Sequence, residues 1–370
     1  MNYEFAELLK PNVKRADTAV IEALRSYSHV PVILYGATVD VAGRIAVKLQ
    51  RHGIRIDRIA FDGDCPAVDT SAPALSGVEV DSVENIDRDF RTYHVIIGFV
   101  KGYGRQAEVA RKFTHARGVG YLSEIFDMEE IPPSFVRKNR DVLKALYESL
   151  SDPLSKDSFV AYLMSKIHQD MCYLPPVFDK HQYFPAGLFN LTDQESYFDC
   201  GAYTGDTLAD FLQATRGAYR HIWVAEPDPS NYRQLTGYIR ERQLSGVEAI
   251  NKGIYGFTGR LPFQAEGSML SMITEDSSNY IEVDTIDHIV AGRPVTYIKM
   301  DVEGAEWMAL QGAENTIRAN RPILGISIYH KKQDLIDIPV YLKTLAPEYA
   351  FYFRVHKKLA IDTVLYAVAR

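Results

Sequence analysis

YFDCGAYTGDT, residues Tyr197–Thr207, begins apolar, reaches an acid at Asp199 and turns through Gly201 and Gly205. A helical pattern follows at once, with Leu208, Phe211, Leu212 and Thr215 on one face. Strand, glycine turn, helix is how an α/β domain offers backbone N–H groups and a helix N-terminus to a bound nucleotide or similar group. Asp199, at the strand end, favours a ligand with a polar or cationic part near the turn over a bare pyrophosphate. Glycines also serve tight turns that bind nothing, so both readings stay open on this stretch alone.

Downstream, the elements alternate. Ile222–Ala225 reads as a buried strand that ends in Glu226-Pro227-Asp228. An acid at the tip of the strand beside such a turn suits the two hydroxyls of a ribose. Val247–Ile250 is a third strand, and the loop Asn251–Gly259 (NKGIYGFTG) lies at the same edge, placed for an adenine. A strand-like insert with Gly267, Ser268 and Met269 follows, then a short capped helix over Asp284–Ile289. Val295–Met300 delivers Asp301, Glu303 and Gly304 and then a helix over Ala305–Ala319. Ile323–Tyr329 delivers His330, and Asp334–Leu345 is helical. Tyr349–Val355 and Thr363–Val368 close the chain as two strands joined by a short loop. The pattern predicts a seven-strand sheet with one antiparallel member.

Upstream, Val30–Tyr35 (VPVILY), Ile54–Phe61 and Val95–Phe99 read as buried strands, with a helix marked by Val41, Ile45 and Leu49 and another from about Arg105 to Arg117. This is a second, smaller Rossmann-like α/β unit. Its turn reads Gly36-Ala37-Thr38, so the place of a second glycine is taken by threonine, which weakens the case for a dinucleotide. Asp62 and Asp64 stand where a ribose acid could be, and acidic turns are equally common as solvated loops. Between the units lies a proline-rich stretch with helices over Phe135–Leu150 and Lys156–Asp170. The aromatic loop His181–Pro185 could close over a ligand or plug the space between the domains. The boundary is placed near Leu150, giving domains 1–150 and 151–370.

Composition sets limits. The 370 residues are 46% hydrophobic and 24% charged with a formal net charge of −7, which fits two globular domains and gives no electrostatic case for nucleic acid. Cys65, Cys172 and Cys200 are far apart and odd in number, which argues against a disulfide framework or a cysteine zinc site. No apolar run approaches the ~20 residues of a membrane span, and the N-terminus has no signal pattern. A cytoplasmic protein is expected.

Together, YFDCGAYTGDT, VAEPDPSNY, INKGIYGFTG, YIKMDVEGAEWMALQGAENTI and ISIYHKKQDLIDIPVYL resemble the FkbM family of methyltransferases over roughly Leu191–Arg370. The resemblance implies the class I methyltransferase Rossmann-like fold, S-adenosyl-L-methionine as methyl donor, and O-methylation of a sugar in a polysaccharide or sugar nucleotide. It implies a donor site at Asp199, Gly201, Ala202, Thr204, Gly205, Glu226 and Gly253. The acidic segment from Asp301 would lie beside the transferring methyl.

Transfer to a hydroxyl oxygen calls for a base, worth ~10²–10⁴-fold. His330 is the first candidate, because it follows a strand and histidine titrates near neutrality. Asp301 is the second, as base or as the partner that orients His330. Lys299 points to the same side of its strand as Asp301 and could hold acceptor oxygens or pair with a carboxylate. Glu303 and Glu306 also suit a helix N-terminus. Asp301 plus Glu303 is a thin ligand set for Mg²⁺, so no metal ligands are assigned. The expected partner is a small-molecule or glycan substrate, with a homo-oligomer or a biosynthetic partner through the N-terminal domain left open. Two other functions stay in view: a nicotinamide-dependent sugar-nucleotide oxidoreductase or epimerase using the Gly36 turn, and a non-catalytic partner module.

Overall fold

The computed structural model describes residues 5–9, 15–36, 38–65, 68, 70–99, 105–125, 131–264, 272–273, 279–357 and 361–369. The chain separates into two compact units, one of Pro11–Met128 with Ile167–Asp170, the other of Met1–Lys10, Glu129–Lys166 and Met171–Arg370.

In the first unit, β1 (Val32–Tyr35), β2 (Arg58–Phe61), β3 (Glu79–Ser82), β4 (Tyr93–Ile97) and β5 (Ala116–Tyr121) form a sheet in the order β3-β2-β1-β4-β5, every pair parallel. Helices α1 (Ala16–Ser26), α2 (Val39–Arg51), α3 (Val83–Asp89) and α4 (Gln106–Lys112) connect or flank the strands. β1 and β4 are buried at every residue, as apolar runs in a parallel sheet should be. The helix expected to run to Arg117 stops at Lys112, and Ala116–Tyr121 is a strand instead. β3 and β5 carry no apolar run because they are edge strands, wet on one side.

The second unit begins its ordered elements with α5 (Pro133–Lys138), α6 (Arg140–Ser149) and α7 (Pro153–His168), whose last residues belong to the first unit. Its strands are β6 (Ser196–Cys200), β7 (His221–Ala225), β8 (Val247–Ile250), β9 (Gly253–Ile254), β10 (Gly259–Gln264), β11 (Met272–Ile273), β12 (Tyr280–Asp284), β13 (Tyr297–Met300), β14 (Ile323–Ser327), β15 (Tyr349–Val355) and β16 (Thr363–Ala369). Between them run α8 (Asp206–Ala214), α9 (Pro229–Glu241), α10 (Ile286–Val290), α11 (Glu306–Gln311), α12 (Glu314–Asn320) and α13 (Asp334–Leu345).

Seven strands form the main sheet, β15-β16-β14-β13-β6-β7-β8, with β16 antiparallel to both of its neighbours and all other pairs parallel. A small four-stranded sheet, β11-β10-β12-β9, stands apart from it. Residues Gly267, Ser268 and Met269 of the expected insert lie outside the described residues.

Two expectations change. The boundary near Leu150 is not where the units divide, since Glu129–Lys166 goes with the C-terminal unit. Leu150 bridges to Phe351, and the Ser151 N–H donates to the Phe351 carbonyl, which ties this segment to edge strand β15. The helix expected over Ala305–Ala319 is two helices. A Cβ at Gly312 would lie 2.3 Å from the Tyr255 carbonyl oxygen, so the loop after β9 crosses the chain there and breaks the helix.

The core beneath the YFDCGAYTGDT turn holds Tyr197, Leu208, Phe211, Ile222, Val224, Leu235 and Tyr297. Tyr197 and Phe211 stack with centroids 4.2 Å apart. Each such apolar side chain contributes roughly 1.5–3 kcal/mol by leaving water, so the turn rests on a rigid floor. Among the described residues no helix is long and apolar enough to cross a membrane.

Candidate functional site

The strand order reverses between β6 and β13, the place where an open α/β sheet leaves a crevice at its carboxyl edge. Four segments meet there: the turn after β6, the tip of β7, the segment after β13 and the end of β14.

The turn is tight. Gly201 and Gly205 have φ of +79° and +99°. A Cβ on Gly201 would lie 1.9 Å from the Asp301 carbonyl oxygen, so only glycine lets these two loops touch. The N–H groups of Gly201 and Ala202 both donate to the Ala225 carbonyl, at 3.0 Å, and the Gly205 N–H donates to Ala202. Thr204 is half-buried. Glu226 accepts from the Tyr203 N–H at 3.0 Å and the Asp228 N–H at 2.9 Å, so its carboxylate braces both loops while a small part of it stays accessible. Burial pushes its carboxyl up to about 7, against the pull of these two donors. The Asn251 amide donates to the Glu226 and Pro227 carbonyls, which draws the loop expected to face an adenine to this same edge.

Asp199 and Lys299 lie beneath the turn and meet each other. β6 and β13 pair with Asp199 opposite Lys299, so the two side chains are neighbours. Lys299 Nζ lies 3.0 Å from Asp199 Oδ1, with the side chains 3% and 0% exposed. The ammonium also donates to the Gly201 and Cys200 carbonyls, at 2.6 and 3.3 Å, and the Thr207 hydroxyl donates to Asp199 Oδ2 at 2.7 Å. Burial pushes the Asp199 carboxyl up while Lys299 opposes it. Burial alone would lower the Lys299 ammonium, but Asp199 and Asp301 leave it raised and charged. The pair therefore clamps the turn from below. Lys299 thus takes the second of its two expected roles, pairing with a carboxylate, and Asp199 has Lys299 and Thr207 as its partners. Gly253 is buried in β9, where it pairs with Val283, and a Cβ on it would lie 3.9 Å from Pro227, the residue after Glu226.

Asp301, Glu303, Glu306 and His330 come together. His330 Nε2 lies 3.2 Å from Glu303 Oε2 and 3.7 Å from Asp301 Oδ1, and Nδ1 lies 3.0 Å from Glu306 Oε1. Glu306 opens α11, and its buried Oε1 accepts from the Val302 and Gly304 N–H groups, so it does serve the helix N-terminus. Burial alone would lower the His330 imidazolium, but Glu306, Glu303 and Asp301 outweigh it and hold it well above the usual histidine range. Carboxylates thus face both ring nitrogens of the residue expected as the base. Burial, opposed by His330 and Lys299, pushes the Asp301 carboxyl up to about 6.

Tyr183 has no role in the sequence reading, although its aromatic loop stands out there. Its hydroxyl donates to Asp301 Oδ2 at 2.8 Å and lies 3.0 Å from the Ser327 hydroxyl. The Tyr183 N–H donates to the Tyr366 hydroxyl at 2.8 Å, and the Tyr297 hydroxyl donates to the Tyr183 carbonyl. The loop is thus pinned inside the C-terminal unit with Tyr183 at φ +62°. No local pattern signals a tyrosine in that conformation. The surface concavity between the ends of α8 and α9, lined by Leu212, Tyr219 and Leu244, lies away from these groups.

In the first unit, the Gly36 turn is occupied by its own side chains. A Cβ there would meet the Phe99 ring at 2.5 Å. Lys112 Nζ lies 2.6 Å from both Asp62 and Asp64, so the acids expected for a ribose are held by a lysine. Ala37 lies outside the described residues.

The main sheet, its single antiparallel strand and the turn at the reversal point define the Rossmann-like fold of the class I methyltransferases. Residues 199–351 match the family model described as the methyltransferase FkbM domain, and the chain carries that domain there. The structure is similar along its length to a crystal structure described as methyltransferase FkbM from Methylobacillus flagellatus, with a TM-score of 0.73 and 21% identity, covering 98% of this chain and 96% of that one. Weaker likenesses include an rRNA methylase from Streptococcus thermophilus (TM-score 0.33, 14% identity, 49% of this chain and 89% of that one). Another is a fibrillarin from Aeropyrum pernix with bound S-adenosyl-L-methionine (TM-score 0.32, 14% identity, 49% and 70%). No curated protein matches the sequence significantly.

Proposed function

We propose that the protein is an S-adenosyl-L-methionine-dependent O-methyltransferase that modifies a hydroxyl of a sugar, in a polysaccharide or a sugar nucleotide. The observation that carries the reading is Glu226: a carboxylate at the tip of β7, hydrogen-bonded to the turn after β6, within a domain that matches the FkbM model. Two neighbouring hydroxyls can share one carboxylate, which is the demand a ribose makes. The sugar acceptor rests on the family resemblance.

In this reading Gly201, Ala202, Thr204 and Gly205 wall the donor, Glu226 holds its ribose, and the Asp199–Lys299 pair keeps the turn in shape. Methyl transfer forms the bond from acceptor oxygen to methyl carbon as the sulfonium bond to that carbon breaks. The acceptor proton must leave. In this reading the Asp301 carboxylate takes it, held through Oδ2 by the Tyr183 hydroxyl. The chain's work is orientation, proton removal and exclusion of water.

Titration calorimetry of the full-length protein with S-adenosylhomocysteine tests the donor. Saturable binding that is lost in Glu226→Ala is expected, and no binding by the intact protein overturns the reading. Mass spectrometry of the surface polysaccharide from a deletion strain tests the acceptor, where a missing methyl names the sugar and the position.

A further inference from the structure

We infer that Asp301, Glu306 and His330 form a site for one divalent cation of the kind that accepts mixed carboxylate and imidazole ligands, such as Mn²⁺. One donor atom from each lies within 4.8 Å of the other two. The sequence offers only Asp301 with Glu303, two oxygens close in the chain. Folding adds an imidazole from the end of β14 and a carboxylate from the first turn of α11.

Two observations point to an ion. The first is the geometry around the ring. Carboxylate oxygens lie 3.0, 3.2 and 3.7 Å from its nitrogens, yet neither nitrogen is in hydrogen-bonding geometry with any of them. Adjacent ligands of an octahedral ion with bonds of about 2.1 Å lie about 3.0 Å apart and off one another's lone-pair axes. The spacing of a carboxylate and the ring nitrogen it faces is that of neighbouring ligands on one ion.

The second is Glu306. It is wholly buried; Oε1, which faces the His330 ring, also accepts from the Val302 and Gly304 N–H groups, while Oε2 has no hydrogen-bond partner. Asp301 Oδ1 is buried and unpartnered as well. A buried carboxylate oxygen without a donor is costly unless a cation meets it. Glu303, 3.2 Å from His330 Nε2, is near enough to join the shell. The site is not sealed: the side chains of His330, Asp301 and Glu303 are 12%, 18% and 29% exposed, which leaves room for water or a substrate oxygen as further ligands. The ligands stand without the methyltransferase reading. A role for the ion in holding the acceptor oxygen rests on that reading.

The test uses chelator-treated, full-length protein titrated with MnCl₂, with free Mn²⁺ followed by electron paramagnetic resonance. One saturable ion per chain is expected, weakened more than about tenfold in both His330→Ala and Asp301→Asn. Absence of saturable binding overturns the proposal, as does binding that both variants leave unchanged. If His330→Ala fails to fold by circular dichroism, Asp301→Asn alone decides. S-adenosylhomocysteine binding is measured on the same samples. Mn²⁺ bound without the nucleoside leaves the ion site standing and removes the methyltransferase reading, and the converse removes only the ion site.

Discussion

Lys299 Nζ sits 3.0 Å from Asp199 Oδ1 with both side chains shut away from water, directly under the turn that the donor reading needs. A buried charge pair is weak evidence for net stability, but breaking one half of it is costly because the other charge is left behind. Lys299→Met should therefore destabilise the protein by about 3–5 kcal/mol. Urea denaturation reads that loss. The double variant Asp199→Asn with Lys299→Met should recover much of it, since no charge remains unpaired. A Lys299→Met protein of unchanged stability that has lost only turnover would return Lys299 to the chemistry.

Glu226 carries a pH dependence. Its carboxyl stands at about 7 in the folded chain, raised by burial against the pull of the Asp228 and Tyr203 N–H donors, above an ordinary glutamate value of about 4.3. A raised acid favours the folded state in its protonated form. The unliganded protein therefore loses this contribution as pH rises from the unfolded value through about 7. The donor's ribose needs the ionised form as acceptor, so the sign for binding is opposite. S-adenosylhomocysteine affinity should fall on acidification below pH 7, approaching tenfold per unit. Glu226→Gln should bind weakly and flatten the profile. Calorimetry across about pH 6 to 8 checks both.

Tyr183 is a positioning residue for Asp301. Tyr183→Phe keeps the buried ring and removes the hydroxyl that reaches Asp301 Oδ2 and Ser327. Stability should drop by only about 1 kcal/mol. S-adenosylhomocysteine affinity should be unchanged, while kcat on polysaccharide from a deletion strain should fall more than tenfold, or about 1.4 kcal/mol in barrier. A structural role alone predicts the stability change without the fall in kcat.

Much of this was legible along the chain. Apolar runs ending in Asp199, Glu226, Asp301 and the residue before His330 are local patterns, and each is a strand or a strand tip in the structure. The terminal hairpin and the glycines of the turn are local in the same sense. Edge strands β3 and β5 escaped because half-wet strands carry no apolar run.

The side-chain constellation was decided only by tertiary structure. Tyr183 meets Asp301 across 118 positions, and Lys299 meets the Gly201 carbonyl across 98. Such meetings depend on the order and register of the sheet, which periodicity does not state. So His330 acquires a shell of carboxylates, Lys299 turns inward to Asp199, and the segment before Leu150 joins edge strand β15. Local sequence determined which residues stand at the carboxyl edge of the sheet. The folding of distant strands against one another determined which of them face the crevice and which are spent holding it together.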